Sequence, residues 1–265
     1  MSEFKVTRYK VRVKEGKKGP EQPFSAVFLS DLHNAAYGDG NSRLLQEIRN
    51  EDPEVVFVAG DMVTATQQPQ MDRAMVLMDE LTKQYPVYYA NGNHEHRMKA
   101  FPERYGEAYE KYSSVIKSFG VHLLENSHET IEIYRMTLTV WGYELPAEYF
   151  RRTSRRTLEA QQLSEILGEP SASGYHVLLA HHPDYFSAYA SWGADLTLSG
   201  HLHGGIIRLP FLGGVISPQM RIFPAYDRGI YSMDGRKMIV SAGLGDHTVK
   251  MRVNNPPELV VIDFI

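Results

Sequence analysis

Seven side chains in this 265-residue sequence have the types that hold divalent cations: Asp31, His33, Asp61, Asn93, His181, His201 and His203. Asp31 and His33 form an Asp-x-His pair, and His201 and His203 form a His-x-His pair. On an extended backbone, residues two apart face the same side, so each pair presents two ligand-type groups together. If one carboxylate bridges, the set supplies four bonds to each of two ions. Imidazole, carboxylate and amide donors without thiolate suit Fe, Mn, Zn, Ni or Co. Two such ions about 3.5–4 Å apart make a clamp for in-line displacement at phosphorus.

These groups share a position in the chain. Apolar, strand-like runs at 24–29, 55–59, 87–90, 176–180 and 195–199 lead into five polar signatures. In order these are Ser30-Asp31-Leu32-His33, Gly60-Asp61, Asn91-Gly92-Asn93-His94-Glu95, His181-His182-Pro183 and Gly200-His201-Leu202-His203-Gly204-Gly205. Ligands of open α/β sheets bind just beyond the carboxyl ends of strands. Alone, each signature is weak, since a Gly-Asp pair is usually a turn. Five in series converge on one sheet edge if the strands are parallel neighbours.

The elements around them follow from pattern. Asn41-Ser42 reads as the cap of a helix through Leu44, Leu45 and Ile48. Met71 to Leu81 and Pro102 to Phe119 read as two more helices. Strands alternating with helices indicate an α/β core. Segments 121–142 and 205–240, rich in short strands and turns, indicate a mixed sheet or two sheets. The alternating stretch Val6 to Val13, followed by a Gly/Pro-marked turn, predicts an N-terminal hairpin with Phe24–Leu29. One domain is expected over 1–265, with 143–168 as a helical insertion or lid. Its basic start, Arg151, Arg152, Arg155 and Arg156, reads as a solvated helix face, with an anion-attracting lid as the alternative.

Composition removes several classes. There are no cysteines, which excludes disulfides, thiolate nucleophiles, zinc ribbons and iron–sulfur clusters. The formal net charge of −4 argues against nucleic-acid binding through bulk positive charge. The apolar runs fall far short of the roughly 18–20 residues of a membrane span. No apolar h-region follows Met1, so no signal peptide is read there. The expectation is a cytoplasmic protein, or a peripheral membrane protein if an upstream anchor exists.

Together, Asp31-x-His33, Gly60-Asp61, Gly92-Asn93-His94-Glu95, His181 and Gly200-His201-x-His203 resemble the calcineurin-like metallophosphoesterases. Stretches such as Leu178 to Asp184, Ser199 to Gly205, Leu209 to Gly213 and Asn254 to Glu258 are similar to its YkuE/YaeI-type bacterial branch. The resemblance implies a four-layer α/β/β/α sandwich with two divalent transition-metal ions at one edge. It implies that Asp31, His33, Asp61 and His203 hold the first ion, and that Asp61, Asn93, His181 and His201 hold the second. A water or hydroxide between them would attack phosphorus. His94 would stabilise the transition state or protonate the leaving oxygen.

The implied substrate is a phosphodiester, pyrophosphate or monoester of a small molecule or lipid headgroup, and association with a membrane surface is compatible with it. A non-catalytic interaction module on the same fold is the competing reading. Gly204-Gly205-Ile206-Ile207 departs from the branch, where a polar residue is expected after the glycines. His182 competes with His181 as a ligand. His96, His122, His128 and His176 default to surface, core or edge histidines. Asp246-His247 and the aromatics Tyr143, Tyr149 and Phe150 are further candidates for the site or for an apolar wall.

Overall fold

The computed structural model describes residues 3–13, 16–151, 154, 156–205, 207–209, 213–216, 223–246 and 252–265. The apolar runs that end in polar signatures are strands buried on both faces, as parallel strands sandwiched between layers must be. Two mixed sheets, each of six strands among the described residues, carry them.

The first sheet contains β1 (Lys5–Val11), β2 (Phe24–Leu29), β3 (Val55–Val58), β4 (Val87–Tyr89) and β5 (His122–Leu123). The second contains β6 (Ser127–Ile133), β7 (Met136–Tyr143), β8 (Tyr175–Ala180) and β9 (Leu196–Ser199). A small hairpin, β10 (Ile207–Leu209) with β11 (Gly213–Ile216), stands apart. β12 (Gly229–Met233) and β13 (Arg236–Val240) complete the second sheet, and β14 (Glu258–Phe264) returns to the first. The orders are β1-β14-β2-β3-β4-β5 and β12-β13-β9-β8-β7-β6. β2, β3 and β4 are parallel neighbours, and so are β8 and β9. Their carboxyl ends therefore share an edge.

Side-chain alternation along each strand builds the layers. Ala26, Phe28, Val55 and Phe57 point between the sheets, where they meet Val140, Val177, Leu179 and Leu198. Val27, Leu29, Val56 and Val58 face the opposite way. They pack on Leu44 and Ile48 of α1 (Ser42–Glu51), Leu77 and Met78 of α2 (Asp72–Thr82), and more distant helices. Those are α3 (Asn93–Ala100), α4 (Pro102–Tyr105) and α5 (Ala108–Ser118). The far face of the second sheet is covered by α6 (Ala160–Leu167) and α7 (Phe186–Trp192), with Trp141, Leu163 and Tyr189 in one cluster. The result is an α/β/β/α sandwich.

Three local expectations are corrected. β1 does not form a hairpin with β2, because β14 lies between them, parallel to β1 and antiparallel to β2. β14 is almost wholly buried and takes the interior place, while the alternating pattern of β1 suits an edge. The helix over 102–119 is broken at Gly106, whose φ of 59° no right-handed helix accepts. Asn41 sits at the N-cap of α1, but its Oδ1 accepts from Tyr37 N (2.9 Å) rather than from the helix. Among the described residues no helix is long and apolar enough to cross a membrane.

Candidate metal centre

The turns leaving the strands are unusual. Asp31, His33, Asp61, His201 and His203 all have φ between 48° and 71°. Non-glycine residues pay for left-handed backbone and adopt it in clusters mainly at functional sites. Cross-loop hydrogen bonds hold them there. Asp31 N donates to Gly60 O (3.0 Å) and His33 N to Asp61 O (3.0 Å). His201 N donates to the Asp31 carboxylate at 3.1 Å.

The strand ends approach one another closely. A Cβ on Gly60 would overlap the main chain of Gly92, and one on Gly200 would overlap Ser30 Oγ and Asp31 Oδ2. Gly200→Ala must therefore displace Asp31. Overpacking of this kind costs about 2–3 kcal/mol. A fall in melting temperature of roughly 5–10 °C is expected in a thermal denaturation scan.

Glu95 braces the floor. Its carboxylate is fully buried and accepts from Met62 N (2.8 Å), Val63 N (3.3 Å) and Tyr89 OH (2.8 Å) through Oε1. Through Oε2 it accepts from Asp61 N (2.9 Å) and Gly92 N (3.1 Å). The second contact satisfies the N-cap N–H of α3, so one side chain fixes both the Asp61 turn and the start of the helix bearing Asn93 and His94. Burial, followed by the charge of Asp61, pushes its carboxyl up to about 7.

Three interlocking groups of donors result: Asp31, His33 and His203; His33, Asp61 and His94; and Asp61, His181 and His201. In each group the ligand atoms lie within 4.8 Å of one another. His33 Nε2 is 3.1 Å from His203 Nε2, and His203 Nε2 is 3.4 Å from Asp31 Oδ1. His181 Nε2 is 3.1 Å from Asp61 Oδ2 and 3.8 Å from Asp31 Oδ1. Two donors about 2.0–2.1 Å from a common ion stand roughly 2.9–3.4 Å apart, so the shortest of these spacings fit a shared cation. Asn93 Oδ1 is buried with no hydrogen-bond partner among the described residues, as suits an amide ligand.

The electrostatics agree. Burial raises both carboxyls, and Asp31 stays up at about 6. At Asp61 the neighbouring His181 and His94 override burial and hold the carboxyl well below its usual range. Burial lowers His181, but Asp61 and then Asp31 outweigh it and lift the imidazole to about 10. Burial, then the adjacent His182 and His181, drive His201 well down, so it presents a neutral lone pair. A buried cluster that holds a proton between carboxylates is one in which a cation can replace that proton.

Outer contacts orient the rings. His181 Nδ1 meets Ala59 O (2.6 Å) and His33 Nδ1 meets Thr64 Oγ1 (3.1 Å), the support that ligating imidazoles usually have. His182 instead accepts from Asp184 N (3.4 Å) and lies outside the donor groups, so the geometry favours its neighbour. Four supporting residues have no role that the sequence assigns: Thr64, Glu95, Arg252 and Asn255, although Glu95 closes the third signature and Asn255 lies in the stretch Asn254 to Glu258. Arg252 lies 3.3 Å from His203 Nδ1, and Asn255 Nδ2 donates to His203 O and Gly205 O. Glu95 alone had a legible signal, an acidic residue at the third position of a helix start.

The remaining candidates separate. Phe150 faces the third group, with its ring 5.2 Å from His201, and also lies 5.3 Å from His182. Tyr143 and Tyr149 are buried in the core beneath α6 and α7. Asp246 lines a cleft beside His33, whereas His247, Ile206, Arg152 and Arg155 lie outside the described residues. His122 pairs with Glu129 (2.7 Å) and His128 lies on Trp141. His176 accepts from Trp141 Nε1 (3.1 Å).

A polar network behind the third signature ties the two sheets. Asn91 Nδ2 donates to Glu144 Oε1 (2.7 Å) and Tyr109 OH (2.6 Å), and Lys99 Nζ reaches Glu144 Oε2 (2.8 Å). His96 Nδ1 stands 3.9 Å from Glu144 Oε1. Burial would raise the Glu144 carboxyl, but His96, Asn91 and Lys99 together hold it at about 2, against an ordinary 4.5. A depressed carboxyl stabilises the fold above its unfolded value and loses that contribution as pH falls through the folded one. About 3 kcal/mol of stability should therefore disappear between about pH 4.5 and 2. Urea unfolding at pH 7 and pH 2.5 should show that difference in the wild type and much less of it in Glu144→Gln.

The family model for the calcineurin-like phosphoesterases matches residues 24–205, which include all seven candidate ligands. The chain belongs to this family. Among curated relatives it is 23% identical over 258 residues to the metallophosphoesterase YkoQ of Bacillus subtilis, covering 97% of this chain and 89% of the relative. It is 25% identical over 251 residues to YkuE of the same organism, covering 90% and 78%. It is 23% identical over 248 residues to the phosphodiesterase YaeI of Escherichia coli, covering 92% and 83%. Arg252 and Asn255, which reach His203 from the C-terminal segment, lie beyond the matched range.

Proposed function

We propose that the protein hydrolyses a phosphoester, whether diester, pyrophosphate or monoester, with two divalent transition-metal ions. The observation that carries this reading is that three donor groups interlock through His33 and Asp61. In the reading, Asp31, His33, Asp61 and His203 hold one ion. Asp61, Asn93, His181 and His201 hold the other. When bound, such a pair supplies Lewis acidity and lowers the pKa of a nucleophilic water. The donor set suits Mn, Fe, Zn or Ni alike.

The chain's own hydrogen-bond donor toward the reacting group is His94. Its Nδ1 accepts from Ala65 N at 2.9 Å, so the proton of the neutral ring sits on Nε2. Nε2 stands 3.9 Å from Asp61 Oδ2 and faces the donor groups. A neutral imidazole does not give up that proton, but its Nε2–H can donate a hydrogen bond to the negative charge that develops on the phosphoryl group or the leaving oxygen, and removing one such donor costs about 10²–10³-fold. His94→Ala should keep its bound metal and its fold, yet lose about that factor in kcat. Hydrolysis of bis-p-nitrophenyl phosphate with and without Mn²⁺, paired with elemental analysis and circular dichroism, tests this. An unchanged kcat in the variant would remove His94 from the chemistry. No turnover by the metal-loaded wild type would remove the enzyme reading and favour the interaction module.

A further inference from the structure

Beside His33 the surface opens into a cleft of about 620 Å³, large enough for a small organic ligand. His33 and Thr64, which touch each other, are among its lining, so it borders the first donor group. Ala35, Leu244 and Pro257 line it with buried apolar surface. Its rim carries Thr66, Gln68, Gln70, Arg73 and Asp246, all exposed. The amides of Gln68 and Gln70 and the hydroxyl of Thr66 form no hydrogen bond among the described residues. Two other polar groups, those of Asn34 and Asp246, are already committed, whereas among the described residues the Arg73 guanidinium meets only Asn34 O (3.4 Å). Asn34 Oδ1 accepts from Arg73 N (3.0 Å) and Ala74 N (3.1 Å), which caps α2 from a distance. Asp246 Oδ1 accepts from Arg252 Nε at 3.2 Å.

This lining excludes some ligands and suits others. It offers an acyl chain too many polar groups. It offers a nucleobase no open ring face, because Tyr37 is buried, edge-packed on Phe4 and bonded to Leu244 O, and the His33 ring is stacked on His203. Neutral amides and a hydroxyl above an apolar bed match alternating C–H and O–H groups. Each uncommitted amide both donates and accepts, as a hydroxyl requires.

We propose that this cleft binds the polyhydroxylated part of the substrate, the sugar or glycerol unit esterified to the phosphoryl group. The choice of a phosphorylated ligand rests on the phosphoesterase reading above. Gln68 and Gln70 are the specificity-determining residues, and the apolar bed receives the C–H face.

The test uses metal-free full-length protein and saturation-transfer NMR, which reads binding without turnover. The probes are α-glucose 1-phosphate, glycerol 1-phosphate and adenosine 5′-monophosphate. Carbon-bound protons of one or both polyol phosphates should receive saturation, and the stronger of the two identifies a hexose or a glycerol source. In Gln68→Ala/Gln70→Ala, which changes only exposed side chains, affinity should fall about tenfold, the loss expected for two neutral hydrogen bonds. Wild-type signals in the double variant would overturn the proposal. So would adenine protons as the most strongly saturated group, or no signal from either polyol phosphate. A separate bis-p-nitrophenyl phosphate assay tells the two readings apart. Hydrolysis without polyol binding rejects only the cleft, and polyol binding without hydrolysis rejects only the phosphoesterase reading.

Discussion

Asp61→Asn is expected to abolish phosphodiester hydrolysis, with kcat/KM reduced on the order of a thousandfold or more, while the protein stays folded. Asp61 belongs to two of the three donor groups, and its Oδ2 is the oxygen nearest His181 Nε2, at 3.1 Å. Its other oxygen accepts from His94 N at 2.8 Å. An amide of the same shape can keep that contact through its oxygen, so helix α3 should still start in place. What it cannot supply is a negative oxygen shared by two cations, and groups that act as a unit fail together when one is removed. Steady-state kinetics on bis-p-nitrophenyl phosphate with saturating Mn²⁺, together with a circular dichroism melt, checks both halves. Turnover within tenfold of wild type would show that Asp61 is not shared.

Glu95→Ala should have the largest effect on stability. The substitution leaves Asp61 N, Met62 N, Val63 N and Gly92 N without their acceptor in a region closed to water, along with Tyr89 OH. Each unmet buried donor costs about 1–3 kcal/mol, though relaxation recovers part of it. A net loss of about 4–5 kcal/mol is expected, equivalent to roughly 10–15 °C in melting temperature. Metal affinity should fall as well, because the turn holding Asp61 and the helix start holding Asn93 lose their common brace. A melt within 3 °C of wild type, on the order of 1 kcal/mol, would mean that the loop is held by something else.

These two residues also mark what a sequence can and cannot disclose. Asp61 was legible because the strand Val55–Val58 is uniformly apolar and stops at a polar turn, so the place of the carboxylate along the sheet follows from local pattern. The same holds for Asp31, Asn93, His181, His201 and His203. Glu95 lay inside a motif that was read, yet its role depends on loops more than thirty residues away. Asn255 reaches His203 across fifty-two residues, and no periodicity encodes such a contact.

Strand pairing was hidden for the same reason. Val6–Val13 announces an amphipathic strand, but nothing local says that its partner is β14 rather than β2. Helix breaking at Gly106 was visible in principle. An interior glycine lowers the expectation of a continuous helix, and here it takes a left-handed φ.

The central claim is that two cations share one carboxylate at this sheet edge. Its most direct test is elemental analysis of protein equilibrated with Mn²⁺ and then freed of excess ion by gel filtration, comparing wild type with Asp61→Asn. Close to two ions per chain in the wild type and less than one in the variant is expected. Wild-type protein that retains no ion, or a variant that retains the same number, would contradict it.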